Sequence, residues 1–592
     1  MQLRSEAAGR TAAAATATAT AATAAAAAAA SSSFSSAATA AAAAAAASAA
    51  AAMADRVAHG HFETFARARL EFVRNIASLS ERPEYLESLL DEDAFGMLRG
   101  LLHDKVPTVQ QTAALAVGRM AGFSTELSEE LVKSGILEQL TASMRGSSAG
   151  HMKAGAFVIR SVAKHSEDLC QYCVEAGCCE TLTQCMEQLD TSVREAAAQS
   201  LATIALHAGA QAAKVVSSGA LPLLVAAMQE PEPALKKAAA ACVGEVAKHS
   251  PELAMAVVQA GGLPALTALM RHGEAKVRRQ VCNSLAQIVK HTPSLAEAAV
   301  DARAFPVTLV CMQDADPGVR RNAAVCMREI VKHSEQLASV VVECGGVGSA
   351  IEYITSRARG ADRLAAVMSL GFISAYGEGL AQRVIDAAGV PALKDVMLEE
   401  KEDHIRAASV WAVGQTGRHS PSHARALAEA DVLRHVLDAH LADESSDDLR
   451  EKSKRCLKAV VAQCDHVMAL QSLLAAAPGN IAKAILRQVT SVLRVDNEQR
   501  KQFLASGGLK LVQTLIISAG GPGGHGAGRP TPAASDPELV ELVNDVNMCF
   551  PAEVVAYCRP DYLHRLGERI RAEVKEEAVA DRKAWIADQA SK

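Results

Sequence analysis

Apolar residues recur along this chain with the period of an α-helix, and the whole pattern returns after about 42 residues. One apolar stripe, spaced i, i+4, i+7 and i+11, consists of Val319, Ala323, Cys326 and Ile330. The same stripe stands one period earlier as Val277, Val281, Ser284 and Ile288. This spacing places each set on one face of a helix. Because no single repeat can bury such a face alone, we expect neighbouring repeats to stack.

A short marker, Lys-His-Ser or Lys-His-Thr, fixes the register of the repeat. The marker histidines and the residues in register with them follow a step of 42 or 43 residues, at Phe123, His165, His207, His249, His291, His333, Tyr376 and His419. Each period predicts three helices: a short one capped by the Ser or Thr of the marker, a second after a glycine such as Gly261, and a longer third. The predicted fold class is all-α, a right-handed armadillo-repeat superhelix (an α-solenoid) of three-helix repeats.

The repeats divide the chain into four parts. Residues 1–52 are an Ala/Ser/Thr low-complexity extension, which we expect to be disordered because it has no polar face and nothing to pack against. We expect residues 53–81 to form an N-terminal capping helix and residues 82–507 to form the armadillo repeats. Residues 508–592 are predicted to be a C-terminal helical cap, with a flexible Gly/Pro loop at 517–536.

Composition narrows the function classes. Of the 592 residues, 50% are hydrophobic but only 3% are aromatic, so small aliphatic side chains must fill the interior between closely packed helices. The net charge of −6 is mild, and we expect no nucleic-acid partner. No long apolar run is dense in Leu, Ile, Val or Phe, so we expect no membrane partner.

Charged, helically patterned sequence begins at Met53, and our hypothesis is that Met53 is the working start codon.

Two residue types resemble metal ligands, and the repeat argues against both. The marker histidines lie one period apart on successive units, so they cannot converge on one ion. We interpret each as closing a helix end and bonding to a neighbouring backbone group. A cluster of cysteines includes Cys170 and Cys179, which take the places of Ala254 and Leu263 in another repeat and so behave as packing residues. The sequence has no catalytic or phosphate-loop motif, so we expect no enzyme activity, no cofactor and no metal.

A ladder of basic residues has no such packing explanation. Its first row precedes each marker by about 13 residues and consists of Arg194, Lys236, Arg278, Arg320, Arg363 and Arg406. Its second row lies one residue later and consists of Lys153, Lys237, Arg279 and Arg321. The second row falls opposite the apolar stripe, and the first row lies about 100° away around the helix. The functional interpretation is a partner-binding stripe for an extended acidic ligand. An alternative of equal weight is that these cations are solvated side chains near helix N-termini, although cations are unfavourable there.

Several segments carry a specific resemblance to a known family. KHSPELAMAVVQAGGLPAL at 248–266, VRRNAAVCMREIVKHS at 319–334 and PAEVVAYCRPDYLHRL at 551–566 resemble the axonemal central-pair armadillo family, known in animals as sperm-associated antigen six. The resemblance covers about residues 54–590, and it leaves out the low-complexity leader and the Gly/Pro insertion. In armadillo arrays the position of the second row lines the concave groove.

The resemblance implies a non-catalytic structural and protein-interaction component of the ciliary or flagellar central apparatus, which supports central-pair microtubule stability and flagellar motility. It implies a place in the cytoplasm, on the cytoskeleton of the axoneme. The implied partners are microtubules and tubulin, other central-apparatus proteins, or a second copy of this chain. The alternative is an importin- or catenin-like adaptor in the cytosol or nucleus. Import receptors resemble one another in regular Trp and Asn arrays, of which Trp411 alone matches here.

Overall fold

The computed structural model describes residues 36–517 and 537–590. All regular elements in these two ranges are helices, so the predicted all-α solenoid class is confirmed. The chain forms two compact units, Met1–Leu223 and Leu224–Lys592. Within the described ranges no single helix has the length and apolar character needed to cross a membrane, although three bent helix pairs meet that test jointly.

The unit Met1–Leu223 repeats helices in the predicted order of short, short and long, which are here named first, second and third helices. The first helices are Leu86–Asp91, Thr125–Lys133, Glu167–Glu175 and Gly209–Ser217, with a 3-10 turn at Pro83–Tyr85 before them. The second helices are Ala94–Leu101, Ile136–Met144 and Cys178–Met186. The third helices are Pro107–Ala121, Ala149–Ala163 and Thr191–His207. Successive third helices within this unit pack on one another, which buries the apolar stripe that the sequence repeats.

One long helix, Ser36–Leu79, covers the N-terminal side of these repeats. Its last turns pack on Pro107–Ala121, with Val73 and Ile76 buried. The guanidinium Nη1 of Arg119 donates to the carbonyl oxygen of Ala77 at 2.8 Å. The end of this helix therefore occupies the place that a preceding third helix would take.

The start of that helix differs from the sequence-based expectation. Residues 36–52, which we expected to be disordered, are helical and continuous with the packed segment. The physical reason is that alanine has the highest helix propensity, and a helix that is already nucleated and packed at its C-terminal end extends at little cost. The rest of the expected disordered extension, residues 1–35, lies outside the described residues.

The unit Leu224–Lys592 has the same order of short, short and long helices from the second helix Ala220–Ala227 onward. The exception is the repeat of Val467–Leu474 and Gly479–Val495, which has no first helix among the described residues. Its first helices are Pro251–Gln259, Pro293–Asp301, Glu335–Glu343, Glu378–Asp386, Pro421–Glu429 and Asn497–Ala505. Its further second helices are Gly262–Leu269, Ala304–Cys311, Gly346–Glu352, Gly389–Glu399, Val432–Leu441, Val467–Leu474 and Gly508–Ile517. Its third helices are Pro233–Ala247, Ala275–Val289, Pro317–Val331, Leu364–Tyr376, Asp403–Gly417, Asp447–Val461, Gly479–Val495 and Pro537–Asn547. In this unit too, successive third helices pack side by side.

The C-terminal boundary of the repeats also differs from the expected residue 507. Asn497–Ala505, Gly508–Ile517 and Pro537–Asn547 form one more three-helix repeat, because Pro537–Asn547 buries Leu539 and Val543 in contact with its neighbours. The loop expected at 517–536 lies, from residue 518 onward, outside the described residues. Two further helices, Ala552–Cys558 and Tyr562–Ala590, complete the described chain.

Local chemistry explains why the helices begin where they do. The hydroxyls of Ser250 and Thr292 accept hydrogen bonds from backbone N–H groups three residues later, at 3.3 and 3.4 Å, and a proline follows each. Second helices begin after a residue with positive φ, such as Gly261 at φ +84°. Arg303 takes the same left-handed conformation at the corresponding turn, at φ +55°. The turn therefore requires this conformation, and glycine supplies it without steric cost.

The repeat that contains Gly346–Glu352 is irregular, in agreement with its longer step. A π-helical turn, Tyr353–Arg357, and a 3-10 turn, Gly360–Arg363, stand between its second and third helices. The extra residue is accommodated in these turns, so the third helix Leu364–Tyr376 still packs on its neighbours.

Candidate interaction surface

The marker histidines connect each repeat to the one before it. The Nε2 atoms of His165, His207, His291, His333 and His419 lie 2.6–2.9 Å from the carbonyl oxygens of Ala121, Ala163, Ala247, Val289 and Ser374. These carbonyl groups belong to the ends of third helices, where no intrahelical donor reaches them. Burial lowers the pKa of His291 and His333, so each imidazole is neutral and its Nε2–H donates. The interpretation of these histidines as structural residues is confirmed.

The clustered cysteines lie in the packed interior. Cys170, Cys173 and Cys179 are at most 1% exposed, and burial raises the pKa of Cys170 and Cys179 to about 12. Cys170 and Cys179 are therefore neutral thiols at physiological pH, and the burial of all three side chains confirms that these residues serve in packing. In the part of the chain that the structure describes, no three or more His, Cys, Asp or Glu side chains are arranged to hold a metal ion.

The first row of the basic ladder holds the turns between second and third helices. Nη1 of Arg278 donates to the carbonyl oxygens of His272 and Gly273 at 2.7 and 2.9 Å. Its Nε and Nη2 reach the carboxylate of Asp314, in the next repeat, at 2.7 and 2.8 Å. Nη1 of Arg320 donates in turn to the carbonyl oxygen of Asp314 at 2.8 Å. These side chains therefore bind one turn to the next.

The remaining members of the first row are also partly or fully withdrawn from solvent. The side chain of Arg363 is only 1% exposed and donates to the carboxylates of Glu399 and Glu400 at 2.8 and 2.7 Å. Arg406 pairs with Asp403 at 2.9 Å. Arg194 and Lys236 are half-buried. Contacts within the array therefore explain the presence of four members of the first row, Arg278, Arg320, Arg363 and Arg406. That the first row also binds a partner stays a prediction.

The second row of the ladder, unlike the first, is exposed to solvent. Lys153, Lys237, Arg279 and Arg321 all lie exposed on third helices. Arg279 pairs with Asp316 at 2.7 Å, and Arg321 pairs with Asp362, each carboxylate belonging to the next repeat. About half of each guanidinium side chain stays open to solvent, at 49% and 58%. Surface pairs of this kind are weak, so the carboxylates of a partner can compete for these cations.

The exposed side of the third helices, named here the third-helix face, forms a groove in the unit Met1–Leu223. A cavity of about 430 Å³ spans three third helices and places Lys153 beside the apolar side chains of Leu115 and Phe157. The Phe157 ring lies over Gly118, where a Cβ atom would overlap it. Neither Leu115 nor Phe157 belongs to the ladder or to the marker, so the sequence pattern did not indicate their part in a groove.

A second groove lies on the third-helix face of the unit Leu224–Lys592. A cavity of about 420 Å³ is lined by Trp411 and by the cations Arg418, Lys452 and Arg455. The ring of Trp411 meets the ring of Phe372 edge-on, with centroids 5.1 Å apart. The ladder of the sequence analysis does not include these cations, because they lie outside its two rows. The basic second half of the helix Asp447–Val461 is the sequence signal that could have identified Lys452 and Arg455.

Stacked three-helix repeats with marker bonds between neighbours define an armadillo-type α-solenoid. The family described as GCN1-like, C-terminal HEAT repeats, another α-solenoid repeat, matches residues 157–292. An engineered protein of known structure superposes with a TM-score of 0.60 over 77% of this chain and 98% of its own, at 19% identity, which shows the fold.

Sequence identity to individual proteins is more informative than the likeness of fold. Over 180 residues the chain is 42% identical to sperm-associated antigen 6 of Homo sapiens, and it matches sperm-associated antigen 6 of Mus musculus equally well. The aligned part is 30% of this chain and 32% of each relative, so the match spans about a third of the length of these curated relatives. The resemblance to this family that the sequence predicted is confirmed over that part.

Proposed function

We propose that this chain is a non-catalytic structural and interaction component of the ciliary or flagellar axoneme, in the central apparatus, where it supports the central-pair microtubules. The 42% identity to sperm-associated antigen 6 over 180 residues supports the axonemal setting. The repeat fold supports an interaction role, because stacked repeats offer extended side-chain surfaces for binding. In this role the chain carries out no reaction and uses no cofactor.

The observation that carries the contact mechanism is the exposure of the second row. Lys237, Arg279 and Arg321 lie on successive third helices at a step of 42 residues, so they present one cation per repeat along the third-helix face. An extended acidic segment, such as a tubulin tail, can meet these cations in turn. Their present partners, Asp316 and Asp362, form only surface pairs with Arg279 and Arg321. We therefore propose the second row as the microtubule contact.

The cellular test is the position of a tagged full-length copy in a motile, ciliated cell. The proposal expects the tag along the axoneme, and removal of the protein should leave cilia with unstable central pairs and impaired beating. A nuclear or junctional position would instead favour the importin- or catenin-like alternative and would contradict the proposal.

The biochemical test is co-sedimentation with microtubules at low salt. The triple variant Lys237→Glu, Arg279→Glu, Arg321→Glu should bind several-fold more weakly, because like charges then face the acidic tails. A control variant reverses two exposed cations on first helices, Lys133→Glu and Lys501→Glu, and should bind as the parent does. Equal binding by the triple variant and the parent would remove the second row as the contact.

A further inference from the structure

Trp411 is held on the third-helix face, where its side chain is half-buried. Its ring lies against the backbone of Gly371, on the preceding third helix Leu364–Tyr376. A Cβ atom at Gly371 would overlap the ring. The ring of Phe372 supports it from the side, edge-on, with the centroids 5.1 Å apart. The side chain therefore presents an apolar surface in a fixed orientation, and such preformed aromatic surfaces act as anchors for binding partners.

The opposite wall of this cavity is cationic. From residue 452 to the end of the helix Asp447–Val461 the sequence holds four cations, Lys452, Lys454, Arg455 and Lys458, and no carboxylate. Two of them, Lys452 and Arg455, line the cavity together with Arg418. Among the described residues, no acidic side chain lines it. The excess positive charge at this point is therefore local and faces the aromatic ring.

The cations that line the cavity are held only loosely. Lys452 and Arg455 pair with Asp448 and Glu451, each one turn earlier on the same helix and well exposed, at 59% and 48%. Arg418 donates to the carbonyl oxygen of Ala375 at 2.9 Å and is otherwise open to solvent. Pairs between exposed residues four apart on a helix contribute little, so a ligand carboxylate can replace them.

We propose that this cavity binds an acidic segment of a partner protein that carries an apolar side chain among its carboxylates. The apolar side chain lies on Trp411, and the flanking carboxylates pair with Arg418, Lys452 and Arg455. The proposal deepens the interaction role proposed above and rests on it, because it names a binding site and the chemistry of its ligand. The floor of the cavity contains Cys456, whose pKa burial raises to about 12, so the thiol is neutral and does not repel a carboxylate.

The fluorescence of Trp411 provides a direct measurement. The chain has two tryptophans, so the variant Trp585→Phe leaves Trp411 as the only one. Trp585 is exposed on the helix Tyr562–Ala590, outside the repeats, and its replacement should not disturb the cavity. The probes are short blocked peptides: Glu-Glu-Phe-Glu-Glu, the same peptide with Ala for Phe, and Lys-Lys-Phe-Lys-Lys.

In the Trp585→Phe background we expect a saturable change in Trp411 emission with the acidic Phe peptide. The Ala peptide should bind about tenfold more weakly, because an aromatic anchor accounts for much of the affinity at such sites. The basic peptide should not bind. No saturable response to the acidic peptide, or an equal response to the basic peptide, would overturn the proposal.

Two variants separate the site from general stability. Arg455→Glu changes a side chain that is 78% exposed, so the fold is retained, and affinity for the acidic peptide should fall about tenfold. Lys501→Glu, an equally exposed change on a first helix, should leave affinity as it is. Unchanged affinity in the Arg455→Glu variant would contradict the proposal. The peptide titration measures binding in solution and does not depend on where the protein lies in a cell. A negative titration would therefore contradict only the cavity proposal, and a tag outside the axoneme would contradict only the axonemal proposal.

Discussion

The imidazole Nε2 of His291 lies 2.8 Å from the carbonyl oxygen of Ala247, which is 44 residues earlier in the chain. His333 makes the equivalent bond to Val289 at 2.8 Å. Each bond gives a donor to a carbonyl group at a helix end, where the helix itself provides none. The marker that fixes the register in the sequence is thus the side chain that fixes the register of stacking.

Replacement of His291 by alanine should destabilise the protein. The carbonyl group of Ala247 would lose its donor in a partly buried position, which costs about 1–3 kcal/mol. Urea denaturation of the full chain measures the loss. The matched control is His404→Ala, whose side chain is 56% exposed and which should change the free energy of unfolding by less than about 0.5 kcal/mol. Equal effects of the two substitutions would contradict the role of the marker bond.

Stability should decrease as the pH falls below 6.5. Burial lowers the pKa of His291 and His333 from the ordinary value of 6.5. The unfolded chain therefore takes up protons at these sites at a higher pH than the folded chain does, and the free energy of unfolding falls with pH. Their contribution is complete above pH 6.5 and is lost as the pH falls toward their lowered folded-state pKa values.

Denaturation curves between pH 8 and pH 5.5 test this dependence. The double variant His291→Gln, His333→Gln should show a flatter dependence than the parent in this range. Carboxylates whose pKa is lowered in the folded chain, such as Asp314, change protonation only below their ordinary value of 3.8. They therefore do not contribute to the change in stability between pH 8 and pH 5.5. An unchanged slope in the double variant would assign the dependence to other groups.

Gly371→Ala should displace the Trp411 ring. The added Cβ atom would overlap the ring, and relief requires a shift of the ring or of the helix at a cost of about 1–3 kcal/mol. Trp emission in the Trp585→Phe background should shift to longer wavelength as the ring becomes more exposed. Gly379→Ala is the control, because among the described residues no atom outside its own stretch of helix backbone lies within 4 Å of the added Cβ atom, and it should be neutral or slightly stabilising.

Arg363→Gln should be far more damaging than Arg321→Gln. Arg363 is 1% exposed and its removal leaves Glu400, at 9% exposure, without its cation. Loss of one partner from a buried pair costs about 3–5 kcal/mol. Arg321 is 58% exposed, and loss of its surface pair costs about 1 kcal/mol or less. Thermal unfolding of the two variants compares them, and similar melting temperatures would show that the two rows of the ladder do not differ as described.

The repeat itself could be predicted from the sequence because each of its parts has a local cause. Ser250 and Thr292 cap first helices, and Gly261 supplies the positive φ that starts a second helix. The stripe that includes Val319 and Ile330 is buried as the spacing predicted. These features depend on residues a few positions apart, so periodicity alone identifies them.

The candidate site could be predicted only in part, because it depends on contacts between residues 36 to 43 positions apart. The sequence shows Arg278 and Arg279 as neighbours of like charge, but only the folded chain turns Arg278 onto Asp314 and leaves Arg279 exposed. The grooves at Phe157 and Trp411 were missed for a similar reason. Each requires a glycine on the preceding third helix to make room for its ring, and that pairing is visible only in three dimensions.

The helix Ser36–Leu79 has a consequence for self-association. A stack of repeats with an uncovered third helix at one end would present that apolar face to a second molecule. Val73 and Ile76 cover the face of Pro107–Ala121 that would otherwise be open to such a contact. A chain shortened to begin at residue 82 should therefore pair with a second copy through this face, and its mass in solution should rise toward that of a dimer.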